Sequence, residues 1–470
     1  MKVSSTKGAL FLLILLLLVS FQPFATIPFQ SQDHHQVSGP SIAAALTGHR
    51  SITGPASALP PCSPDSKNER WCDWIIKTTS TENVTLTFET IKIHGNITVK
   101  SGSNLRLYSS SKIIQMFTTK IHYSFEVQEN AELRVEDRSE LHLDKFLAKP
   151  TSDINLVNAK LYTNGYLNAS SGVLNFKDSF VENRAPSGAS GKPGTDAQLL
   201  LDAETTSFAG STINCIAGNG GAGAPGVAGG KGGSSVASIF ASAGIVSHAY
   251  FHITGGDGGA GMDSMSGAGS AGGMGGQASA TIWTLAGRDN VISFSNLFIT
   301  SGKGGKGGNG ASGQASNGGD GGRGELGGEA DLVLKGKTMK VENSAIALTG
   351  GDAGKGGTGG PTQKGQGGNG GDAGSGGNTN IDMQTTLGDF TITDSTIESQ
   401  GGAGGDGGFF GLGPTSQGNA GTGGNGGDSS IKIDINGSYI GTNASIEALG
   451  GTGARGGLGA LIAGDGGDGG

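Results

Sequence analysis

Few side chains in this 470-residue sequence stand at spacings that could do chemistry. Cys62 and Cys72 bracket a polar loop, Ser63 to Trp71, and in an oxidising compartment two cysteines this close are a disulfide candidate. Cys215 is left over within an apolar, strand-like segment, the setting of a buried, inert thiol. His94 and His122 fall 28 residues apart in matching sequence, so their rings could share a metal, but no third ligand accompanies them. The Asn-x-Ser/Thr sequons at Asn83, Asn96, Asn168, Asn436 and Asn443 are glycosylation candidates in a host that modifies exported proteins.

Other chemistries are hard to build. A calcium repeat of the form GGxGxDx-apolar-x would supply carboxylate and carbonyl oxygens. GGNGGDAGS (367 to 375) and GGNGGDSSI (423 to 431) supply Asp372 and Asp428, yet put Gly374 and Ser430 where the anchoring apolar residue belongs. No cofactor is expected, and calcium is the one ion any glycine motif suggests. The many GxG matches do not stand between a strand and a helix, and there is no nucleophile elbow. There is no Asp-Asp pair, and acidic residues such as Asp178, Asp394 and Glu398 sit singly in turns. Asp178, Asn343, Asp394 and Asn443 take equivalent turn positions, where stacked Asx residues form hydrogen-bond ladders. No catalytic or metal-binding residue is assigned, and an enzyme is the less favoured class.

Charge and address narrow the field. Lys plus Arg is 31 and Asp plus Glu is 39, a net −8 spread thinly, which is a poor surface for nucleic acid. Lys2 and Lys7 precede an apolar run from Ala9 to Val19 and then Ser20 to Pro23, the pattern of a secretory signal peptide with Ala25 a candidate cleavage position. The run is too short for the ~20 residues that span a bilayer, and no second span follows.

The elements that would position these residues are short strands. From Asn83 the pattern alternates apolar and polar, as in Val84 to Phe88, Leu105 to Leu107 and Leu133 to Val135. Residues 92 to 113 align without a gap onto 120 to 141, so one repeat reads as one coil. An eight-residue motif, apolar-x-apolar-x-[Asp/Asn/Gly]-x-x-apolar, recurs at 174, 206, 292, 339, 390 and 439. From 292 onward each copy is followed by a glycine tract, beginning at Gly302, Gly350, Gly401 and Gly450. Only eight of the 92 glycines lie in residues 1 to 184, so the tracts are insertions at one fixed point of the coil. Their three-residue beat is the period of a polyproline-II type helix, and helices without Cβ atoms can approach closely enough to share backbone hydrogen bonds. The chain stops at Gly470, inside a tract, where earlier tracts are followed by a strand, so a longer protein is expected.

Strand-turn-strand units such as ITVKSGSNLRL and FEVQENAELRV resemble those of right-handed parallel β-helix proteins, secreted surface proteins among them, over about residues 80 to 184. The glycine tracts, from about 218 to 470, resemble in composition the glycine-rich repeats of mycobacterial PE-PGRS surface proteins and the polyglycine bundles of some phage adhesins. The helical PE domain of the former is absent.

The expected fold is all-β, a parallel β-helix with glycine-rich insertions stacked on one flank. The expected organisation is a signal peptide (1–25), a linker and N-terminal cap (26–80), coils without insertions (81–184) and coils with them (185–470). The expected role is structural or adhesive, at the cell surface or outside the cell. Its expected partners are cell-envelope or extracellular polysaccharide, or other surface proteins. Degradation of polysaccharide by a lyase or hydrolase is the alternative, because β-helices often host such enzymes. A flat ice-binding threonine array, hinted at by Thr391 and Thr393, is broken by Lys340 and Glu342 in the neighbouring coil.

Overall fold

The computed structural model describes residues 51–55, 59–78, 82–117, 121–284, 290–293, 295–314, 316–458 and 466–470. The segment expected to be a signal peptide (1–25) and the expected linker as far as residue 50 lie outside these. Among the described residues there are strands and no α-helix. With one exception the strands pair in parallel, each with its equivalent one coil on, so the sheet winds as a parallel β-helix.

Three ladders of strands form three faces. The first face carries Asn104–Tyr108, Glu132–Glu136 and Asp153–Val157 early in the chain, and Met339–Glu342, Phe390–Thr393 and Tyr439–Thr442 late. The second carries Lys112–Gln115, Phe180–Arg184, Thr212–Ile216, Ala345–Thr349 and Thr396–Gln400. The third carries Ile97–Val99, Ser124–Val127, Ala278–Thr284, Ala330–Gly336 and Thr379–Thr385. Alternation decides which side chains go inside: Leu105, Leu107, Leu133, Val135, Ile154 and Leu156 are fully buried in adjacent rungs, with polar residues between them facing out. Aromatic rings continue the stack, Phe176 on Phe208 at 5.5 Å and Phe208 on Phe251 at 5.6 Å. A single coil could not cover its own apolar face; its neighbours do so.

The register confirms the 28-residue offset, with Leu105 opposite Leu133, Arg106 opposite Arg134 and Val99 opposite Val127. It corrects one copy of the motif. Asn290 pairs with Met339 and Ile292 with Val341, so this copy starts at 290 rather than 292. The polar Asn290 stands where the motif calls for an apolar residue, and matching on hydrophobicity alone slid the frame by one full pleat. The solenoid also starts before the alternation becomes visible, since Glu69–Arg70 and Trp74–Ile76 already pair in parallel with the next coil. The exceptional antiparallel strand, Ser51–Thr53, lies along Asn83–Thr87 at the N-terminal edge, and Cys62 and Cys72 are joined by a disulfide in the segment between.

Candidate functional site

From Ile154 onward, coil length rises from 20 residues (Ile154 to Leu174) to 51 (Met339 to Phe390). The added residues enter at one corner, between the second and third faces. In the short coils that corner is Asp144 alone, or Asn164 and Gly165. In the long coils it is an excursion that runs out along one row, as in residues 302–313, 351–361 and 402–413. The chain then comes back along a second row, as in 318–328, 367–377 and 418–427.

The two rows are knitted by backbone hydrogen bonds at every third residue. Gly302, Gly305 and Gly308 donate to the carbonyls of Gly276, Gly273 and Ser270 in the return row one coil earlier, at 2.7 to 2.8 Å. Gly351, Gly354 and Gly357 in turn donate to Gly328, Glu325 and Gly322. The residues just before, Gly304, Gly307 and Gly310, donate within their own row to Asp352, Lys355 and Thr358, each at 2.8 Å. The tract amides thus point to different neighbours with a three-residue period. Burial follows the same beat, with Gly368, Gly371, Gly374 and Gly377 buried in one return tract and Gly421, Gly424 and Gly427 in the next.

Why glycine fills these positions is a matter of space. None of the described glycines after Gly226 has a positive φ, so the tract backbone is one that other residues can adopt. A Cβ on Gly357, however, would lie 2.0 Å from the carbonyl oxygen of Gly308, well inside contact distance. The dense lattice of backbone bonds offsets part of the entropy lost on ordering so much glycine.

The third amide of each GGx triplet belongs to the outward residue, and asparagine and aspartate side chains accept many of these. Asp257 Oδ1 accepts from Lys303 N at 2.8 Å, Asn309 Oδ1 from Thr358 N at 2.9 Å, Asp320 Oδ1 from Asn369 N at 2.7 Å. Asp372, a residue of the calcium-like motif, accepts from the N–H and the hydroxyl of Thr422 at 2.9 and 2.8 Å. Asp428 ends the equivalent tract, its own N–H donated to Asn378 Oδ1. Among the described residues no cluster of three or more His, Cys, Asp or Glu side chains is arranged to hold a metal ion.

The outer surfaces of the two rows differ. The outgoing row carries Lys303, Lys306, Lys355 and Arg455 among Asp352 and Asp406, and ends in exposed Phe409, Leu412 and Leu458. Ion pairs cross between its coils, Lys303 with Asp352 at 2.9 Å and Lys355 with Asp406 at 2.6 Å. The return row carries a grid of short polar side chains: Asp320, Asn369 and Asn419 along one line, Asp372 and Thr422 along the next, then Ser375 and Asn425.

A second feature lies at the same corner where the first insertion begins, with Pro186, Ser187 and Asp196 on its border. A groove of about 830 Å³ opens there, bordered by Phe117, His122, Asp144, Tyr166 and Gln198. Asp144, 1% exposed, accepts from His122 Nδ1 at 3.0 Å, from Tyr123 N–H at 2.8 Å and from Asn164 Nδ2 at 3.1 Å. His94 is held quite differently. Its Nε2 meets Glu69 at 2.9 Å and its ring stacks on Trp71 at 3.7 Å. The two histidines thus have separate partners, and the shared-metal arrangement gives way to two carboxylate pairs.

The remaining sequence candidates are scattered. Asn83, Asn436 and Asn443 are exposed, whereas Asn96 donates to Asp73 and accepts from Ser124, and Asn168 has its Oδ1 buried. Asp178, Asn343, Asp394 and Asn443 all adopt φ between 46° and 50°, the left-handed turn region that Asx residues tolerate. Burial pushes the Cys215 thiol up to about 12. One feature escaped the sequence reading, a ladder of buried serines next to the Asx turn. Ser179 N donates to Ser211 Oγ, Ser295 N to Ser344 Oγ and Ser344 N to Ser395 Oγ, at 3.1 to 3.2 Å. The recurring Asp/Asn-Ser pairs at 178–179, 343–344 and 394–395 were its signal.

The described chain is thus an all-β parallel β-helix with a hydrogen-bonded glycine flank. No family model matches the chain, and no curated protein matches it. Among solved structures it is similar to a springtail antifreeze protein from Granisotoma rainieri, described as a nine polyproline type II helical bundle. The identity is 25%, over 45% of this chain and 90% of that one, with a TM-score of 0.10. Folds that superpose so poorly support no argument from one to the other.

Proposed function

We propose that the chain is an exported protein with a structural and adhesive role at the cell surface or outside the cell. On this reading its glycine tracts are helices of the polyglycine, polyproline-II type, and the flank they build is the binding surface. The ligand class proposed is an extended polymer, cell-envelope or extracellular polysaccharide. The observation that carries the reading is the return-row grid: Asn369, Asp372, Ser375, Asn419, Thr422 and Asn425 on a rigid backbone lattice. Along a tract such residues repeat at ~9 Å, three residues of ~3.1 Å each. Between coils they repeat at ~4.8 Å, the spacing of adjacent strands. Regular spacing lets many individually weak polar contacts engage one repeating ligand together, which raises overall affinity without a deep pocket. The apolar run from Ala9 to Val19 and the disulfide between Cys62 and Cys72 support export.

The test is incubation of the full chain with insoluble envelope and extracellular polysaccharides, scoring sedimentation and release of new chain ends. Saturable sedimentation without new ends is the expected result. Reproducible cleavage would move the protein to the enzyme class instead.

A further inference from the structure

The corner groove holds an arrangement that adhesion through the flank does not use. Side chains from successive coils converge on the buried Asp144 carboxylate, which holds the imidazole of His122 by Nδ1. Gln115 braces the same point, accepting from Asp144 N at 3.3 Å and donating to the Gly95 and Ser124 carbonyls at 3.0 Å. The ring of His122 is 47% exposed and borders the groove, so Nε2, across the ring from the tethered Nδ1, is the nitrogen left to a ligand. His94 provides the contrast inside one molecule: it spends Nε2 on Glu69, lies under Trp71 and is 12% exposed. A carboxylate fixing the tautomer of an accessible imidazole is the base-and-orienter pair of general-base catalysis.

We propose that this groove is a hydrolytic site for carboxylic esters, with His122 as its general base. Nε2 takes a proton from a water molecule while the water oxygen bonds to the ester carbonyl carbon and the carbonyl electron pair moves onto oxygen. Lys145, on the same wall, offsets that negative charge. Collapse of the tetrahedral species breaks the bond to the alcohol oxygen, and the imidazolium returns its proton to the leaving alkoxide. The products are an alcohol and a carboxylic acid, which loses its proton to solvent as the carboxylate, with no oxidant, metal or cofactor required. Phe117 and Tyr166 line the groove and suit an ester with a ring-sized apolar part. Asp144 is a positioning residue, acting through His122. The proposal is independent of adhesion through the flank, and either can fail alone.

The full chain is assayed near neutral pH with p-nitrophenyl acetate and butyrate against free imidazole at equal concentration. Expected is saturable hydrolysis with kcat/KM at least about ten-fold above free imidazole, toward the low end of what a positioned base supplies. His122→Gln should fall to the imidazole level or below, and His94→Gln should keep the parent rate. Asp144→Asn should lower kcat about ten-fold or more with KM little changed, a split that loss of structure alone would not give. Should a variant fail to fold, diethyl pyrocarbonate titration of the parent replaces it, and activity should disappear in step with modification of His122 mapped by mass spectrometry. Hydrolysis that does not saturate and merely equals free imidazole overturns the proposal. So does a full rate in folded His122→Gln, or activity that survives modification of His122.

Discussion

Gly357 N donates to the carbonyl of Gly322 at 2.8 Å, joining an outgoing glycine tract to the return tract of the coil before it. A Cβ on Gly357 would lie 2.0 Å from the carbonyl oxygen of Gly308, in the outgoing tract of the coil before. One residue thereby links composition to architecture: the tract is glycine because successive tracts of backbone must touch.

Gly357→Ala should therefore destabilise the chain by about 1–3 kcal/mol, the range of overpacking in a close-packed site. Lys306→Ala, at an exposed outward position of the same row, should change stability by less than about 0.5 kcal/mol. Equilibrium denaturation of the two variants beside the parent checks the difference. Equal effects would mean that the tracts are loose loops.

Ser395→Ala tests the serine ladder. Ser395 is 3% exposed, and its Oγ accepts from Ser344 N at 3.1 Å while donating to Thr393 O at 2.7 Å. Alanine removes the acceptor and leaves a buried amide unpaired, at a cost of about 1–3 kcal/mol. The same denaturation series measures it, with Ser430→Ala, on the exposed side of the next coil, as the near-neutral comparison.

Glu140 gives a signed pH dependence. Burial pulls its carboxyl upward, but hydrogen bonds from His142 and Lys112 and the charges of Lys112 and Lys160 outweigh it and set it at about 2. A carboxyl depressed on folding adds stability that is complete above its unfolded value of about 4.5 and is lost as pH falls toward 2. The lysines are half-exposed, so screening limits the contribution to about 2 kcal/mol. The stability gap between parent and Glu140→Gln should be constant from pH 7 down to about 5 and close between 4.5 and 2. A gap that persists at pH 2 would contradict this.

The Cys62–Cys72 bridge closes a loop with a sequence separation of 10. Chain entropy assigns it about 2–3 kcal/mol, so Cys62→Ser should lower the denaturation midpoint accordingly. Reduction of the parent should reproduce the shift, and a Cys215→Ser variant should keep the intact bridge by mass spectrometry.

Much of the fold was legible because a solenoid writes its coil into the sequence again and again. The period-two strands around Leu105 and Leu133 gave the correct register, since apolar side chains alternate strictly there. The copy near Asn290 is misplaced because its first position is polar, and a two-residue slip keeps the period-two pattern. The glycine beat points to tracts that share backbone hydrogen bonds, but the role of the Asx residues in the tracts is not visible in sequence: Asp372 looks the same whether it meets a cation or Thr422. The groove was hidden for a similar reason. Asp144 fills the corner in a coil 21 residues long while His122 comes from the coil before it, and only the change of coil length at that point brings them together.

The account stands most directly on the return row as a binding surface. Ser375→Lys with Thr422→Lys would place two long cations on that grid, and Lys306→Glu would alter the opposite row. Each protein, with its thermal transition matched to the parent, is sedimented with the insoluble polysaccharide that the parent binds most tightly. The account predicts that binding falls at least about ten-fold for the return-row variant, a loss near 1.4 kcal/mol, and stays within about two-fold for Lys306→Glu. Parent-like binding by the return-row variant, or no polysaccharide binding by the parent at all, would contradict it.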